Sequence, residues 1–298
     1  MKKITDILKE KKFTISVELV PPRNGEGKEE ILGKIKSLKG KVDFVSITKG
    51  AGGSLRGGTL PISVFAKENG IIPISHFVCR ERTKAEIEND IMDLYYFDIN
   101  NVLALRGDPP AGAKDEKWDG DYKYAYLLVK QISDLNKGRY IPRKNIDKGD
   151  FREGVKTNFC VIVAGHPEDP VEEEVKHIKA KIEVGAEVII TQMIFSFEEY
   201  KNYVENLRKN GIKLPVIPGI RPLVNYKQAE SVEKFFGLKV ADELKEGLKD
   251  DSDDKSAHEF GIKYTVSMIS KLKEYGSPGV HLFVLNDVEI VEELVKKI

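Results

Sequence analysis

Short apolar runs alternate with longer amphipathic segments from one end of the chain to the other. The short runs have the length and β-branched content of buried strands, and the longer ones have the period of helices. Strands are predicted at Phe13–Leu19, Asp43–Thr48, Ile71–Val78, Asn101–Arg106, Asn158–Ala164, Glu187–Met193, Leu214–Pro218 and Val280–Leu285. Helices are predicted near 27–39, 58–69, 83–97, 121–136, 170–184, 196–210, 225–236, 253–275 and 287–297.

This regular alternation predicts parallel strands joined by helical crossovers. For a chain of 298 residues the economical solution is a closed (β/α)8 TIM barrel, an α/β fold, with an open doubly wound sheet as the alternative. Two stretches exceed an ordinary connection. They are a polar insertion at about 136–157 and an extra acidic helical segment at about 238–255. Neither is long enough for a domain, so one barrel domain is expected over 1–298.

Charge and composition narrow the class of protein. The 48 basic residues balance the 48 acidic ones, which argues against binding to nucleic acid or to an anionic membrane by bulk electrostatics. No run approaches the roughly 18 apolar residues of a membrane span, and the N-terminus lacks the apolar core of a secretory signal. The two cysteines, Cys79 and Cys160, cannot form a disulfide framework. We expect a cytoplasmic protein.

In a barrel of this kind, chemistry is carried by residues at the carboxyl ends of the strands. Strand alternation places Thr14, Ser16 and Glu18 on one face and the apolar residues between them on the other. Glu18 would then point into the mouth of the barrel. The spacing alone leaves open that Glu18 faces solvent or pairs with a lysine.

The other strand ends carry further polar residues. Thr48 precedes a glycine-rich loop that contains Ala51 but has neither a P-loop nor a dinucleotide fingerprint. His76 lies within a strand, where a histidine is more often a packed core residue than a catalyst. The fourth strand ends in Arg106-Gly107-Asp108, the fifth is followed by His166, the sixth carries Gln192, the seventh leads to Arg221, and the eighth ends before Asp287.

These residues do not form a metal-binding pattern. The spacing of His76, His166 and His177 matches neither H-E-x-x-H nor a two-histidine, one-carboxylate site, so no metal is expected. The residues alone therefore indicate an enzyme-like barrel with a polar mouth that suits an organic cofactor.

Six motifs in order make the chain resemble the methylenetetrahydrofolate reductase family, over nearly its whole length. They are Val17-Glu-Leu-Val-Pro-Pro-Arg23, Asp43-Phe-Val-Ser-Ile-Thr48, Leu103-Ala-Leu-Arg-Gly-Asp108, Ile190-Thr-Gln192, Ile217-Pro-Gly-Ile220 and Asn225-Tyr-Lys-Gln228. The resemblance implies a FAD-containing barrel that reduces 5,10-methylenetetrahydrofolate to 5-methyltetrahydrofolate with NADH or NADPH, supplying methyl groups for methionine synthesis or one-carbon metabolism.

The resemblance also implies roles for individual residues. Glu18 matches the general acid that opens the imidazolidine ring, and Asp108 matches a carboxylate near the flavin and the pterin. Gln192 and Tyr226 fall on substrate-contacting positions. FAD-contacting positions fall on Thr48, Ala51, His76, Arg106, Gly107, Asp108, Ala125, His166 and Lys181.

Several positions depart from the family pattern. Lys49 and His166 stand where tyrosine is common, His177 and Ala180 replace polar FAD contacts, and Asp287 stands where an arginine is usual. These departures leave the electron donor open.

Three alternatives follow. The first is a folate-reducing subunit, within a larger assembly, that takes electrons from an iron–sulfur or flavin partner. The second is a catalytically silent folate-binding barrel. The third is an aldolase-type barrel with Lys49 as its Schiff-base lysine. A homo-oligomer is expected.

Overall fold

Eight parallel strands close into a barrel, and helices cover its outside. The computed structural model describes residues 1–50, 56–108, 118–249 and 254–298. The strands are β1 (Thr14–Leu19), β2 (Phe44–Ile47), β3 (Ile72–Val78), β4 (Asn101–Leu105), β5 (Arg139–Tyr140), β6 (Arg152–Glu153), β7 (Cys160–Gly165), β8 (Val188–Ile194), β9 (Val216–Ile220) and β10 (Gly279–Phe283). The barrel order is β1-β10-β9-β8-β7-β4-β3-β2, which confirms the predicted (β/α)8 fold.

The helices lie between these strands, largely where the apolar periodicity predicts them. They are α1 (Ile4–Glu10), α2 (Glu29–Leu38), α3 (Thr59–Glu68), α4 (Lys84–Tyr96), α5 (Ala125–Asn136), α6 (Val171–Glu183), α7 (Phe197–Lys209), α8 (Tyr226–Phe236), α9 (Asp242–Lys249), α10 (Asp254–Tyr275) and α11 (Val288–Val295). None of the helices in these ranges is both long and apolar enough to cross a membrane.

Local sequence signals account for several helix ends. Thr83 accepts a hydrogen bond from the Glu86 amide, and the Glu86 side chain accepts one from the Thr83 amide, which is a complete capping box. Ser196 and Asn225 cap α7 and α8 in the same way through their side-chain oxygens. These caps place the strand-to-helix loops at the carboxyl end of the barrel.

The amino-terminal end of the barrel is closed by α1, a helix that the sequence did not predict. Ile4 and Ile7 pack with the interior side chains Phe44, Ile74 and Leu103. Asn101, the first residue of β4, accepts a hydrogen bond from the Ile4 amide at 2.9 Å and donates one to the Lys2 carbonyl at 3.1 Å. This end of the barrel is therefore apolar and sealed.

The two long connections each contain a small element. The 136–157 stretch includes the antiparallel pair of β5 and β6, and the 238–255 stretch includes α9. The hairpin connection lies against α4, where Glu88 accepts a hydrogen bond from the Ile141 amide at 2.8 Å. Both elements lie outside the barrel wall.

Candidate functional site

A cavity of about 760 Å³ opens at the carboxyl ends of the barrel strands. Residues from β1, β3, β4, β7, β8 and β10, and residues just after β2 and β9, converge on it, as expected of an active site in this fold. Among the residues predicted for the site, its wall includes Glu18, Thr48, His76, Arg106, Gly107, Asp108, His166 and Gln192.

Glu18 carries a largely buried carboxyl at the end of β1. It lies on β1, beside Ser46 of β2 and Phe283 of β10. Its side chain is 16% exposed, and in the part of the chain that the structure describes no lysine or arginine forms an ion pair with it. Burial raises the pKa of Glu18 from its ordinary value of 4.5 to about 8. At neutral pH Glu18 therefore holds a proton that it can donate.

The ionisable side chain that lies beside this carboxyl is His76. Its Nε2 is 3.7 Å from Glu18 Oε2, which is too long for a hydrogen bond. Burial lowers the pKa of His76 to about 3, so the imidazole is neutral. Within the described ranges, Nε2 has no hydrogen-bond partner, and it can therefore serve a ligand or the ionised form of Glu18.

Sequence reasoning missed His281, which lies on β10 beneath Glu18. Ser16 Oγ donates to the Val280 carbonyl at 3.0 Å and lies 2.8 Å from His281 Nδ1, while Ser46 Oγ lies 3.1 Å from Nε2. If Ser16 gives its single proton to Val280, the matching His281 tautomer donates from Nδ1 to Ser16 and accepts at Nε2 from Ser46. Burial and the neighbouring His76 lower the pKa of His281 to about 3. The alternation along β1 placed polar Ser16 on the same inner face as Glu18, and this could have indicated a polar partner for Ser16 inside the barrel.

Just after β4, Gly107 packs closely against Val78 of β3. Gly107 has φ +95°, and a Cβ there would lie 2.3 Å from Val78 Cγ1, so only glycine fits. The flanking Arg106 and Arg80 both lie against the Trp118 ring, with their Cζ atoms 4.9 and 5.0 Å from its centroid. Asp108 follows as an exposed carboxylate in the cavity wall.

Gln192 is aimed by a β-bulge between β8 and β9. The pairing runs from Ile190–Ile217 to Met193–Gly219, so two residues of β8 oppose Pro218 alone. Pro218 has no N–H to donate to the ladder, and the Gly219 amide donates instead to Thr191 Oγ1 at 2.9 Å.

The Gln192 amide then has a fixed orientation. Its Oε1 accepts from the Met193 amide at 3.0 Å. This bond turns the Nε2 donors away from the strand, and they remain available to a ligand.

A second cavity of about 220 Å³ adjoins the first, and His166 lines both. Buried Glu174 accepts from the His166 amide at 2.8 Å and from the Tyr203 hydroxyl at 2.6 Å. The His166 ring lies 3.1 Å from Glu168. Burial lowers the pKa of His166, but the hydrogen bond and charge of Glu168 outweigh it and the net shift is upward. Glu174 and Tyr203 are further polar residues that the sequence reasoning did not single out.

Three predicted residues lie outside the cavity wall, and a fourth is not among the described residues. Lys181 is buried and donates from Nζ to the Ala164 carbonyl at 2.9 Å, so it supports the end of β7 from behind. Ala125 and Tyr226 are the first residues of α5 and α8 and do not line the mouth cavity. Ala51 lies outside the described residues.

Two of the departures from the family pattern have clear structural positions. Lys49 lines the mouth, and its pKa is lowered, first by burial and then by the charge of Arg82. Asp287 accepts from the Ile290 amide at 3.4 Å and so caps α11. Asp287 is thus a structural cap, outside the cavity wall.

The residues of the mouth fit an extended organic cofactor. Buried Thr48 Oγ1 and His76 Nε2 have no hydrogen-bond partner among the described residues, and buried polar groups are normally paired. Gly107 lies in the cavity wall, and arginine side chains stand beside it. Within the described ranges, no cluster of three or more His, Cys, Asp or Glu side chains could hold a metal ion. Cys79 and Cys160 are buried, and burial raises each thiol pKa to about 11.

The fold and site define a (β/α)8 barrel with a protonated carboxyl in a deep polar mouth, an arrangement suited to acid-assisted chemistry on an organic ligand. A family model described as "Methylenetetrahydrofolate reductase" matches residues 3–298. The chain belongs to this family, and the resemblance seen in the sequence is confirmed.

The chain covers different shares of the known proteins that it resembles. Methylenetetrahydrofolate reductase 1 of Schizosaccharomyces pombe is 29% identical over 301 residues, covering 96% of this chain and 46% of that protein. The Escherichia coli 5,10-methylenetetrahydrofolate reductase is 27% identical, covering 93% of this chain and 88% of that protein. The chain thus spans about half the length of its eukaryotic relatives and most of the bacterial one.

One solved structure has the same fold. It is an uncharacterised protein from Clostridium thermocellum that binds two copies of 5-methyl-5,6,7,8-tetrahydrofolic acid. Its TM-score is 0.61 at 16% identity, with 98% of this chain and 97% of that chain covered. This likeness supports the barrel fold.

Proposed function

We propose that this chain, acting as a single barrel domain, reduces 5,10-methylenetetrahydrofolate to 5-methyltetrahydrofolate. The observation that carries the proposal is the buried, protonated Glu18 in the wall of the mouth cavity. The substrate ring opens only when its N10 leaves carbon, and a proton on N10 makes it a better leaving group. Glu18 supplies that proton, and the neutral His76, whose Nε2 lies 3.7 Å from Glu18 Oε2, would face the carboxylate that remains.

Asp108 and Gln192 complete the substrate end of the site. The negative charge of Asp108 favours the positive charge that develops on N5 when the ring opens. The Gln192 Nε2 group, fixed by the Met193 contact, can donate to a pterin or nicotinamide carbonyl. Tyr226 remains the proposed ring-stacking residue, although it stands behind the wall at the start of α8.

We further propose FAD as the cofactor, which would carry a hydride from a nicotinamide to the substrate. Thr48, His76, Arg106, Gly107, Asp108 and His166 would hold it, and Lys181 would support it from behind β7. The second cavity beside His166 favours a dinucleotide over FMN, because an adenylate end needs room beyond the barrel mouth. Ala51 and Ala125 keep their proposed role as cofactor-binding residues.

NADH or NADPH is the proposed donor. Related proteins carry names with either nucleotide, NADH in Arabidopsis thaliana and NADPH in Caenorhabditis elegans. A cytoplasmic homo-oligomer supplying methyl groups for methionine synthesis or other one-carbon reactions is the biological setting we propose. If the donor were a partner protein, neither nucleotide would reduce the purified chain.

One experiment separates these cases. The visible spectrum of the purified protein is recorded during anaerobic addition of NADH or NADPH, followed by methylenetetrahydrofolate. We expect a yellow protein that bleaches with the nucleotide and recovers its colour with the folate. A protein that bleaches only with dithionite but still recovers with folate would support the partner-subunit alternative. A colourless protein that does not bind added FAD would contradict the cofactor proposal.

A further inference from the structure

Arg221 follows β9 and presents a guanidinium in the wall of the mouth cavity. Its Cζ lies 6.0 Å from the Phe236 ring centroid. In the part of the chain that the structure describes, no carboxylate lies within ion-pair distance of it. Burial lowers the pKa of Arg221, which shows that its charge is partly desolvated. A partly desolvated guanidinium with an unfilled donor fork binds carboxylate or phosphate favourably.

Three apolar residues, Phe283, Leu285 and Phe236, line the same cavity as Arg221 and Glu18, and we call them the apolar shelf. Leu285 and Phe236 are 53% and 47% exposed, unusually high for large apolar side chains in a cavity wall. The shelf suits a flat aromatic group lying between the proton donor and the guanidinium.

The backbone of the shelf is held in place. Leu285 and Asn286 have φ values of 48° and 70°, a conformation that costs free energy in residues other than glycine. Asn286 accepts from the Val20 amide at 2.7 Å and donates to the Val20 carbonyl at 2.8 Å. This two-bond clamp ties the end of β10 to the end of β1, beside Glu18.

We propose that Arg221 binds the glutamate carboxylate tail of the folate substrate. This inference rests on the proposed function and adds to it the residue that recognises the tail. In the substrate, N10 is bonded directly to the benzoyl ring, and the glutamate follows the ring through an amide. If N10 lies at Glu18 on β1, the ring extends over β10 and the carboxylates reach the end of β9. Adjacent strands are about 4.8 Å apart, so this path crosses about 10 Å, a span that a benzoylglutamate covers.

A nucleotide phosphate suits Arg221 less well. The other cations of the cavity wall, Lys49, Arg56, Arg80, Arg82 and Arg106, belong to the β2–β4 side. A pyrophosphate carries two charges and is served better by that basic side than by one guanidinium among aromatic and aliphatic side chains.

The test compares two ligands on four proteins by isothermal titration calorimetry. One ligand is 5-methyltetrahydrofolate, and the other is its pteroyl amide, which keeps the pterin and benzoyl ring but has no carboxylate. The proteins are the wild type, Arg221→Ala, Arg221→Lys and Lys227→Ala. Lys227 is an exposed cation on α8 outside the cavity wall, so its variant is the control for net charge. Thermal unfolding checks that all four are folded, and NADH titration checks the donor side.

We expect the wild type and Lys227→Ala to bind the full ligand about 10- to 100-fold more tightly than the amide, the range for a charge-assisted hydrogen-bonded pair. Arg221→Ala should bind both ligands with the affinity of the amide, and Arg221→Lys should recover part of the difference.

Other outcomes would overturn the proposal. Equal weakening of both ligands in Arg221→Ala would show a structural role, and weaker binding of NADH alone would assign the guanidinium to the nucleotide. Wild-type protein that binds both ligands equally would refute the role of Arg221 while leaving the proposed function intact. Wild-type protein that binds neither ligand would refute the proposed function, and the inference with it.

Discussion

The two ends of the barrel interior are built on the same strands but differ in the side chains that they bury. At the amino-terminal end, α1 seals a cluster of apolar side chains that includes Phe44, Ile74 and Ile217. At the carboxyl end, the strands carry Glu18, His76 and His281, three ionisable groups that burial holds neutral. At the first end the buried side chain of Asn101 is paired with the Ile4 amide and the Lys2 carbonyl, whereas the second end retains buried polar atoms that lack partners among the described residues.

Stability and chemistry are thus assigned to opposite ends of one barrel. Burying apolar surface at the closed end stabilises the barrel, while burying polar groups at the open end costs free energy. That cost is what keeps a proton on Glu18 at neutral pH. Substitutions at the closed end should therefore change the free energy of unfolding, and substitutions at the open end should change the rates of the reaction steps.

The largest expected effect comes from Glu18→Gln. Glutamine keeps the shape but has no carboxyl proton, and loss of a general acid typically slows a reaction about 10²–10⁴-fold. We expect the reoxidation of the bound flavin by methylenetetrahydrofolate to slow by this factor, while its reduction by the nucleotide stays near normal. Stopped-flow absorbance measures each step separately. Equal slowing of both steps would assign Glu18 a structural or cofactor-binding role.

At the closed end, Phe44→Ala should lower the free energy of unfolding without slowing one half-reaction more than the other. Phe44 is fully buried at the start of β2, and truncation of a buried phenylalanine typically costs about 3–5 kcal/mol. Urea unfolding measures this loss, and the two half-reactions should keep their ratio in the folded fraction. Ile74→Val is a milder variant, expected to cost about 0.5–1.5 kcal/mol, should Phe44→Ala fail to fold. A changed ratio of the two steps would show that the closed end also shapes the mouth.

Stability should also depend on pH through Glu18. The native carboxyl keeps its proton up to about pH 8, whereas the unfolded chain releases it near 4.5, so the native state binds more protons between these values. The free energy of unfolding then falls as pH rises through this window, by up to about 1.4 kcal/mol per pH unit.

Glu18→Gln removes this dependence. We expect the stability difference between variant and wild type, measured by urea unfolding at pH 5, 6, 7 and 8, to shift steadily in favour of the variant. Groups that titrate in both proteins cancel in the difference. Parallel curves would mean that Glu18 is ionised in the native protein.

The smallest expected effect is that of Asp108→Asn. Asp108 is exposed, so water screens its charge, and the energy of a unit charge near 4 Å in water corresponds to about 20 mV for a two-electron couple. We expect the potential of the bound flavin to rise by about this amount, because the reduced form loses a repulsion. A redox-dye titration measures it, and Glu81→Gln, which changes another exposed carboxylate of the wall, serves as the control.

Much of this architecture could be predicted from the sequence. The eight barrel strands and the order of the crossovers follow from apolar periodicity, because a buried parallel strand is a short continuous apolar run. The alternation along β1 placed Ser16 and Glu18 on the inner face, while Val17 and Leu19 pack toward the helices. The capping box at Thr83 was readable from four residues.

The remaining features depend on contacts between distant parts of the chain. The short helix α1 has only seven residues, and its partners lie on strands far along the sequence. The neutral state of Glu18 depends on the burial that neighbouring strands provide. The orientation of Gln192 depends on Pro218, which disturbs the pairing of another strand. Lys181 lies outside the cavity wall because its Nζ donates a hydrogen bond to the Ala164 carbonyl of β7.

The stacking of Trp118 against Arg80 and Arg106 gives the protein a built-in optical reporter. The chain has one tryptophan, so all of its indole emission arises from the rim of the mouth. Both guanidinium groups lie within about 5 Å of the ring centroid, where the indole senses any shift of their charge. Occupation of the mouth by a coloured or anionic ligand should therefore change fluorescence without any label, and binding can be followed in the unmodified protein on the millisecond scale.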